Sequence, residues 1–495
     1  MSYRTRATWK NHSRNYSVEP LRIYRPTCLA GVIAIVQDAN RLSCAVRAVG
    51  SHHSWSDAAL THGFLVETRG LGRILDLEPD LLTAGASQTM LVRTEAGIRL
   101  RELNAHLDSL DLALTNMGGY DEQTVAGVMS TSTHGSGISL GPLVSCVRSI
   151  DLVAGDGSVL RIEPAGGPTN PGRYAERYPE RRLIQDDDWF HAVSVGMGCM
   201  GIIYSVILEV EPKYWLREIR TLSTWQRVRE DLEGGILGRH RHYEVYLNPH
   251  PGAPGGHRCL VTTRDRTEPP VGKSPDRLRR NALIEIGAKL LIVPKLMNLL
   301  FDLRPGLAPT LIDWGLKGLA DVEYTGLSYK VLNIGAANSL PVYSSEIGIP
   351  VDGRGLHLEA VERILRIAER HARIGAIYHT SPISFRFVKR SPAFLSMMHG
   401  CDTMMIELIL LNDTEGGFEL LAAYEQELYR LGGRPHWGQF NVLTGSHGLI
   451  GSLYPAYARW QAVRRQIDPK GVFDSPFARR VGITGPTVSG RDARG

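Results

Sequence analysis

Residues 49–55 read VGSHHSW, and this stretch indicates more about the fold than any other part of the chain. The residues before it, 42–49 (LSCAVRAV), predict a strand that leads straight into it. Gly50 and Ser51 favour a turn whose backbone N–H groups can close around a phosphate-sized anion. His53 follows this turn and would lie beside the group that carries the anion. Taken alone, one such loop is also compatible with an ordinary turn that binds no anion.

A second loop of the same kind lies further along the chain. Residues 124–127 (TVAG) run into residues 131–137 (TSTHGSG), which are again small and carry a histidine, His134. Two such loops in one chain indicate a bound dinucleotide rather than a single phosphate.

The composition is typical of a globular protein with more than one domain. The chain has 495 residues, of which 43% are hydrophobic and 22% charged, enough for two or more substantial cores. Its formal charge of +5 is too small for a dedicated nucleic-acid binder. The six cysteines are scattered without a C-x-x-C pair, which favours a reducing compartment and predicts no metal site. The polar start MSYRTRATWKNHSRN lacks the apolar core of a signal peptide, so the cytoplasm is the expected location.

Helix-like and strand-like patterns alternate over the first 210 residues, which indicates a mixed α+β fold. Helices are predicted over 31–40, 100–110 and 188–193, and strands over 42–49, 91–96, 150–154, 159–162 and 202–210. Residues 196–201 spell G-x-G-x-x-G, but that dinucleotide fingerprint needs a strand before it and a helix after it. The predicted order here is the reverse, so we reject a Rossmann-type site.

A second domain is predicted from about residue 213, where polar, loop-rich stretches separate longer elements. Within it, residues 283–303 (LIEIGAKLLIVPKLMNLLFDL) are apolar but interrupted by charges and by Pro294. A membrane-spanning helix needs about 20 mostly uncharged residues, so we predict two short amphipathic helices broken at Pro294. Packing inside the domain, a lid over an apolar substrate and a weak membrane contact are left open. The Gly/Ser/Arg-rich tail from about residue 486 is expected to be disordered.

Five motifs in this order resemble the FAD-linked oxidases of the vanillyl-alcohol-oxidase fold, and within them the aldonolactone and alditol oxidase branch. The motifs are the flavin-attachment loop 46–57 (VRAVGSHHSWSD), the pyrophosphate loop 124–137 (TVAGVMSTSTHGSG), a third flavin segment 196–210 (GMGCMGIIYSVILEV), the His-Trp signature 434–439 (RPHWGQ) and the C-terminal clasp 473–482 (FDSPFARRVG). The resemblance implies a two-part, PCMH-type FAD-binding domain with an inserted α+β cap. The FAD domain is placed at 1–212, the cap or substrate domain at 213–448, and a segment that returns to the FAD domain at 449–495.

The resemblance also implies a covalently bound FAD, joined through its 8α-methyl group to His53, with His52 as the neighbouring alternative. The cofactor-binding residues that it implies are Gly50, Ser51, His52, His53, Ser54, Gly118, Gly119, Thr124, Gly127, Thr131, Ser132, Thr133, His134, Gly135, Gly137, Gly201, Ile202, Ile203 and His436.

Four residues are assigned to the reaction from the resemblance: Arg386, His436, Gln439 and Ser384. Gln439 stands where the family has the lysine of its His-Trp-x-Lys run, and Ser384 where the branch has the glutamate of a Glu-x-Arg pair. His436 is expected to contact the pyrimidine side of the flavin, and Arg386 to hold a substrate oxygen or the reduced flavin. Loss of the glutamate and the lysine speaks against a sugar-like substrate.

The leading interpretation is a covalent flavoprotein oxidase that takes a hydride from a CH–OH donor and reduces O2 to H2O2. Gly118, which the resemblance places near the flavin, leaves room for oxygen, while Glu346 is interpreted as a supporting carboxylate. The alternatives are an oxidative tailoring or sterol-type oxidase with a bulky apolar substrate, a dehydrogenase with another acceptor, and a flavin-loaded protein without activity. The sequence leaves the oligomeric state open.

Overall fold

The computed structural model describes residues 2–86, 90–252, 256–270, 304–335, 342–412 and 414–484. In chain order its strands are β1 (Tyr3–Arg4), β2 (Trp9–Lys10), β3 (Ser17–Val18), β4 (Arg22–Tyr24), β5 (Val46–Val49), β6 (Phe64–Glu67), β7 (Ile74–Leu75), β8 (Leu91–Glu95), β9 (Leu112–Ala113), β10 (Val147–Val153), β11 (Val159–Glu163), β12 (Arg182–Gln185), β13 (Ile202–Glu209), β14 (Glu211–Pro212), β15 (Trp215–Thr224), β16 (His242–Leu247), β17 (Arg258–Thr267), β18 (Val322–Leu327), β19 (Val342–Pro350), β20 (Ile383–Val388), β21 (Thr403–Leu411) and β22 (Arg434–Pro435). Its α-helices are α1 (Leu29–Leu42), α2 (Leu100–Ser109), α3 (Val125–Ser130), α4 (Pro171–Arg177), α5 (Asp187–Ser194), α6 (Trp225–Glu233), α7 (Ala308–Gly318), α8 (Ser328–Leu332), α9 (Leu356–Gly375), α10 (Gly417–Arg430), α11 (Ile450–Leu453), α12 (Tyr457–Ile467) and α13 (Pro476–Arg480).

The first sheet has the order β1-β4-β6-β5, and α1 connects two of its parallel strands. The helix buries Val32, Ile35, Val36 and Ala39, an i, i+3, i+4, i+7 face. The strand predicted over 42–49 begins only at Val46, because α1 continues to its last apolar residue, Leu42. Ser43 then adopts a left-handed conformation with φ 53° and ends the helix.

The second sheet has the order β12-β11-β10-β13-β8-β7. Strands β10 and β11 form the predicted antiparallel hairpin. Helix α5 precedes residues 196–201 and strand β13 follows them, which is the order that led us to reject a Rossmann site. Asp186 caps α5 by accepting a hydrogen bond from the backbone N–H of Trp189 at 3.0 Å.

The third sheet is antiparallel, with the order β18-β15-β17-β16-β20-β21-β19-β22. Helices α9 and α10 pack against each other and against β19. Because side chains alternate along a strand, Ser345 of β19 points to α10 and hydrogen-bonds Glu425 there, whereas Glu346 points to the opposite side. That opposite face is the one that carries the site.

The C-terminal segment returns to the first two sheets. Helix α12 packs on α5, Val46 donates its backbone N–H to Val472 O at 2.8 Å, and Arg480 pairs with Asp57 at 2.6 Å. None of the helices in the described ranges combines the length and the apolar character that a membrane span requires. The predicted amphipathic segment 283–303 and the tail from residue 486 lie outside the described residues.

Candidate active site

One long cleft contains most of the residues predicted for the site. It holds about 1800 Å³ of space free of protein atoms, counted to its open mouth and including solvent there. The predicted residues that line it are Gly50, Ser51, His52, His53, Ser54, Gly118, Gly119, Thr124, Gly127, Thr131, Thr133, His134, Gly201, Ile203, Arg386, His436 and Gln439.

The two histidines of the first loop have different surroundings. His52 adopts a left-handed conformation with φ 67°, and its Nε2 accepts a hydrogen bond from Trp9 Nε1 at 3.4 Å. His53 lies between two other rings, with its ring centre 4.2 Å from that of His12 and 4.7 Å from that of Tyr120. Burial, reinforced by His12, lowers the pKa of His53 to about 3, so its imidazole is neutral at pH 7 and has a free electron pair for bonding to carbon.

The two glycine-containing loops touch one another. Thr124 caps α3 by accepting a hydrogen bond from the backbone N–H of Gly127 at 3.3 Å. A β-carbon at Gly50 would collide with the hydroxyl of that threonine, so only glycine permits this approach. The first loop is also tied to the His-Trp run, since Trp55 donates its backbone N–H to Gly438 O at 2.7 Å.

Five predicted residues are not among those that line the cleft. Ser132 is buried against Ser396, with their hydroxyls 2.8 Å apart, and Ile202 belongs to the core beneath the first sheet. Gly135 and Gly137 allow backbone contacts instead: a β-carbon at Gly135 would collide with Asn116, and Gly137 (φ 118°) donates its N–H to Phe387 O at 2.6 Å. Ser384 is 2% exposed, and its hydroxyl donates a hydrogen bond to the carboxylate of a glutamate on the neighbouring strand.

That glutamate is Glu407, which the sequence analysis missed. It lies directly opposite Ser384 in the β20–β21 register, and Ser384 Oγ donates to Glu407 Oε2 at 3.0 Å. Arg386 Nη2 lies 3.5 Å from the same oxygen. The cleft therefore has a carboxylate beside Arg386, supplied by the neighbouring strand, although Ser384 replaces the glutamate of the Glu-x-Arg pair on β20.

A second carboxylate, Glu346, lies between two histidines. Its Oε1 is 3.3 Å from His134 Nε2, and the ring of His436 is 5.9 Å from that of His134. Burial opposes ionisation of Glu346, but His134, His436 and Arg386 outweigh it and lower its pKa to about 2. The ligating atoms of these three side chains lie within 4.8 Å of one another, a spacing that would also suit a metal ion.

At two other groups of this cluster, burial sets the direction in which the pKa shifts. It lowers the pKa of His436 to about 4, so this imidazole is neutral at pH 7. It raises the pKa of the Glu407 carboxyl, an effect that Arg386 opposes and the nearby Glu346 charge reinforces. The two carboxylates thus differ in their tendency to hold a proton.

The cleft fits a large polar cofactor. Arg47 Nη1, Ser51 Oγ and Gln439 Oε1 are buried, line the cleft and have no hydrogen-bond partner among the described residues. Leaving a buried polar atom unpaired costs about 1–3 kcal/mol, so these atoms indicate a bound group with both donors and acceptors. Arg47, on β5, is suited to an anionic part of that group.

Sequence reasoning missed Arg47, His12, Tyr120 and Glu407, which all line the cleft. A signal existed for two of them, because Arg47 and Glu407 are single charges inside otherwise apolar strands, and a buried charge needs a partner or a function. No comparable signal marks His12 or Tyr120, which only the fold brings to His53.

Comparison with known proteins agrees with this geometry. Residues 206–481 match the family model described as D-arabinono-1,4-lactone oxidase, and residues 20–163 match that of an FAD-binding domain. The chain is 28% identical to L-gulono-1,4-lactone dehydrogenase of Mycobacterium tuberculosis (96% of this chain, 98% of the relative) and 26% identical to L-gulonolactone oxidase of Mus musculus (96% and 98%). It is 24% identical to alditol oxidase of a Streptomyces species (95% and 97%).

Solved structures show the same fold. A cholesterol oxidase from B. sterolicum superposes with a TM-score of 0.75 at 16% identity, covering 96% of each chain. A solvent-stable cholesterol oxidase gives 0.74 at 16% identity, covering 97% of this chain and 98% of that one. The predicted fold, an α+β FAD-binding domain of the PCMH type with a cap, is confirmed. The chain belongs to the D-arabinono-1,4-lactone oxidase family and is an FAD-dependent oxidase that acts on CH–OH donors.

Proposed function

We propose that FAD is attached covalently to His53 and that the enzyme oxidises a small, polyhydroxylated CH–OH donor, such as an aldonolactone or alditol, with O2 as the electron acceptor. The observation that carries this proposal is the meeting, in one cleft, of the neutral His53 with the charged groups Arg386 and Glu407. FAD supplies the hydride acceptor when bound.

The charges of the cap side support a polar donor. Arg386, Glu346 and Glu407 all line the cleft, and buried groups of this kind discriminate strongly in favour of substrates that hydrogen-bond to them. The relatives named above oxidise lactones or alditols by name. The likeness to cholesterol oxidases, at 16% identity, concerns the fold alone.

The proposed arrangement assigns each part of the cleft a task. Residues 50–54 and 118–119, with Arg47, Thr124, Gly127, Thr131, Thr133 and His134, would hold the cofactor. Arg386 and Gln439 would contact the donor or the flavin. The domain bounds 1–212, 213–448 and 449–495 belong to this proposal. The six cysteines are unpaired, which supports the proposed cytoplasmic location.

Covalent attachment is tested by denaturation. We expect acid-precipitated wild-type protein to retain a yellow, fluorescent pellet and His53→Ala to release its flavin. His52→Ala is the matched control, because His52 contacts Trp9 instead and its variant should retain the flavin. Release of the flavin by His52→Ala together with retention by His53→Ala would place the covalent bond on His52 and contradict the proposal.

The donor class is tested by anaerobic flavin bleaching. Aldonolactones, alditols, sterols and aromatic alcohols are compared, and we expect the first two classes to bleach the flavin fastest. Efficient reduction by a sterol, with none by any lactone or alditol, would overturn the proposed donor class.

A further inference from the structure

We propose that Glu407 is the group that accepts the hydroxyl proton of the donor, with Ser384 and Arg386 as the residues that position it. This inference rests on the proposed function, and it assigns to strand β21 a carboxylate that the sequence motif locates on strand β20.

Cross-strand register makes the two locations equivalent. Ser384 and Glu407 are direct partners in an antiparallel pair, and partners of this kind project from the same face with their β-carbons about 5 Å apart. A glutamate at either position can bring its carboxylate to nearly the same point. Ser384, which leaves the space that a glutamate would fill, donates its hydroxyl to Glu407 Oε2 at 3.0 Å.

Glu407 is better suited to this step than Glu346. The Glu407 side chain retains 13% of its exposure, on the cleft, whereas Glu346 retains 3%. Glu346 Oε1 is held by His134 at 3.3 Å. Glu407 has Ser384, Ser344 at 3.3 Å and the more distant Arg386 around it, so it is fixed in place yet still open to a donor.

The donor O–H bond breaks, its proton forms a bond to a carboxylate oxygen of Glu407, and the electron pair left on oxygen becomes the second bond of the carbonyl. The hydrogen on carbon leaves with its electron pair to FAD, the oxidant that the established activity supplies. Glu407 then returns its proton to solvent through the cleft.

The environment of Glu407 favours proton uptake without preventing ionisation. Groups that face it are Arg386 from β20, Glu346 from β19, Tyr246 from β16 and His134 from the second loop. Burial and Glu346 raise its pKa, and Arg386 limits the rise. A carboxylate with a raised pKa is the stronger base. Flavin reduction should therefore slow as pH falls through this raised pKa, because the protonated form cannot accept a proton.

The first test compares Glu407→Gln with Glu425→Gln, another buried carboxyl, on α10 behind β19 and outside the cleft. Glu407→Gln should slow anaerobic flavin reduction by about 10²–10⁴-fold, while its Kd for the carbonyl product, followed by the flavin absorbance, changes by less than about tenfold. Glu425→Gln should keep the wild-type rate. In infrared difference spectra, Glu407→Gln should remove one titrating carboxyl band that Glu425→Gln leaves in place, whereas Glu425→Gln removes only the band of its own carboxyl. A wild-type reduction rate in Glu407→Gln would overturn the inference.

The second test moves the carboxylate. The double variant Ser384→Glu with Glu407→Ser should recover most of the rate lost in Glu407→Ser, because the register makes the positions equivalent. A folded, flavin-containing double variant that is reduced as slowly as Glu407→Ser would overturn the inference. If Glu407→Gln fails to fold, the comparison of the double variant with Glu407→Ser is the deciding test. If the wild type itself is reduced by no CH–OH donor, the proposed function fails; a normal wild type with an unaffected Glu407→Gln counts against this inference alone.

Discussion

The two sides of the cleft are built in different ways. On the proposed cofactor side, short loops supply glycines, hydroxyls and the histidine His53, and polar atoms such as Arg47 Nη1 and Ser51 Oγ have no hydrogen-bond partner within the part of the chain that the structure describes. On the cap side, strands supply charged side chains that already pair with one another, as Arg386 does with Glu407.

This difference shows how each side is held ready for its ligand. The loops are positioned by backbone contacts such as Trp55 N–H to Gly438 O, and their polar atoms are the ones we propose for cofactor binding. The strands position mutually dependent charges, so removal of one charge leaves its neighbour buried and unpaired. We therefore expect substitutions on the cap side to affect stability and reaction together, and those on the cofactor side to affect single properties.

The largest loss of stability, together with slower flavin reduction, should follow Arg386→Met. This change leaves Glu407 without its cation and removes the charge opposite Glu244, so we expect the free energy of unfolding to fall by about 3–5 kcal/mol and flavin reduction to slow sharply. Urea unfolding and anaerobic stopped-flow measure the two. Arg390→Met is the matched control, because Arg390 is 66% exposed beside Asp402 and its loss should cost less than about 1 kcal/mol. Equal destabilisation by both variants would contradict the statement that the buried charges of the cap side depend on one another.

A smaller, pH-dependent effect on the free energy of unfolding is expected at Glu425, on α10 behind the same strands. Glu425 accepts hydrogen bonds from Ser345 at 2.6 Å and Tyr429 at 2.7 Å, and burial raises its pKa to about 7. Because the folded pKa exceeds the unfolded value, the stabilisation that comes from the protonated form is complete below the unfolded pKa and is lost as pH rises through about 7.

Glu425→Gln should remove this dependence. Between about pH 5 and pH 8, the wild type should lose up to roughly 3 kcal/mol of unfolding free energy relative to the variant, as urea unfolding at both pH values would show. Parallel stability curves for the two proteins would mean that Glu425 is ionised throughout.

The smallest effect is expected on the cofactor side, at Gly118. A β-carbon there would lie 3.3 Å from His134 O and 3.5 Å from Thr133 Cγ2, close enough to fill space in the cleft without breaking the fold. We expect Gly118→Ala to slow reoxidation by O2 about tenfold, equivalent to about 1.4 kcal/mol, and to leave flavin reduction nearly unchanged because the hydride arrives from the cap side. Stopped-flow traces of the two half-reactions test this, with a quinone as the control acceptor. Slow wild-type reoxidation in air, but fast reoxidation by the quinone, would identify a dehydrogenase.

Much of the fold could be predicted from the sequence because its signals are local. The hairpin of β10 and β11, helix α5 and strand β13 follow from patterns within single segments. The start of β5 could not be fixed, because residues 42–45 are apolar enough for either element and only packing of α1 ends the helix at Leu42.

The two loops of the proposed cofactor side could be predicted from the sequence, because residues 49–55 and 124–137 are contiguous and their small residues favour the backbone conformation of tight loops. His12, Tyr120 and Arg47, which line the same part of the cleft, could not be assigned in this way. The arrangement of charges on the cap side depends instead on how the strands pair. Ser384 and Glu407 are separated by 23 residues and become one unit through strand register, which no local pattern specifies. The same reason explains why the sequence motif on β20 lacks its glutamate although the cleft contains a carboxylate. Residues that are direct partners on neighbouring strands project from the same face of the sheet, so Glu407 of β21 occupies nearly the place that a glutamate at position 384 would take.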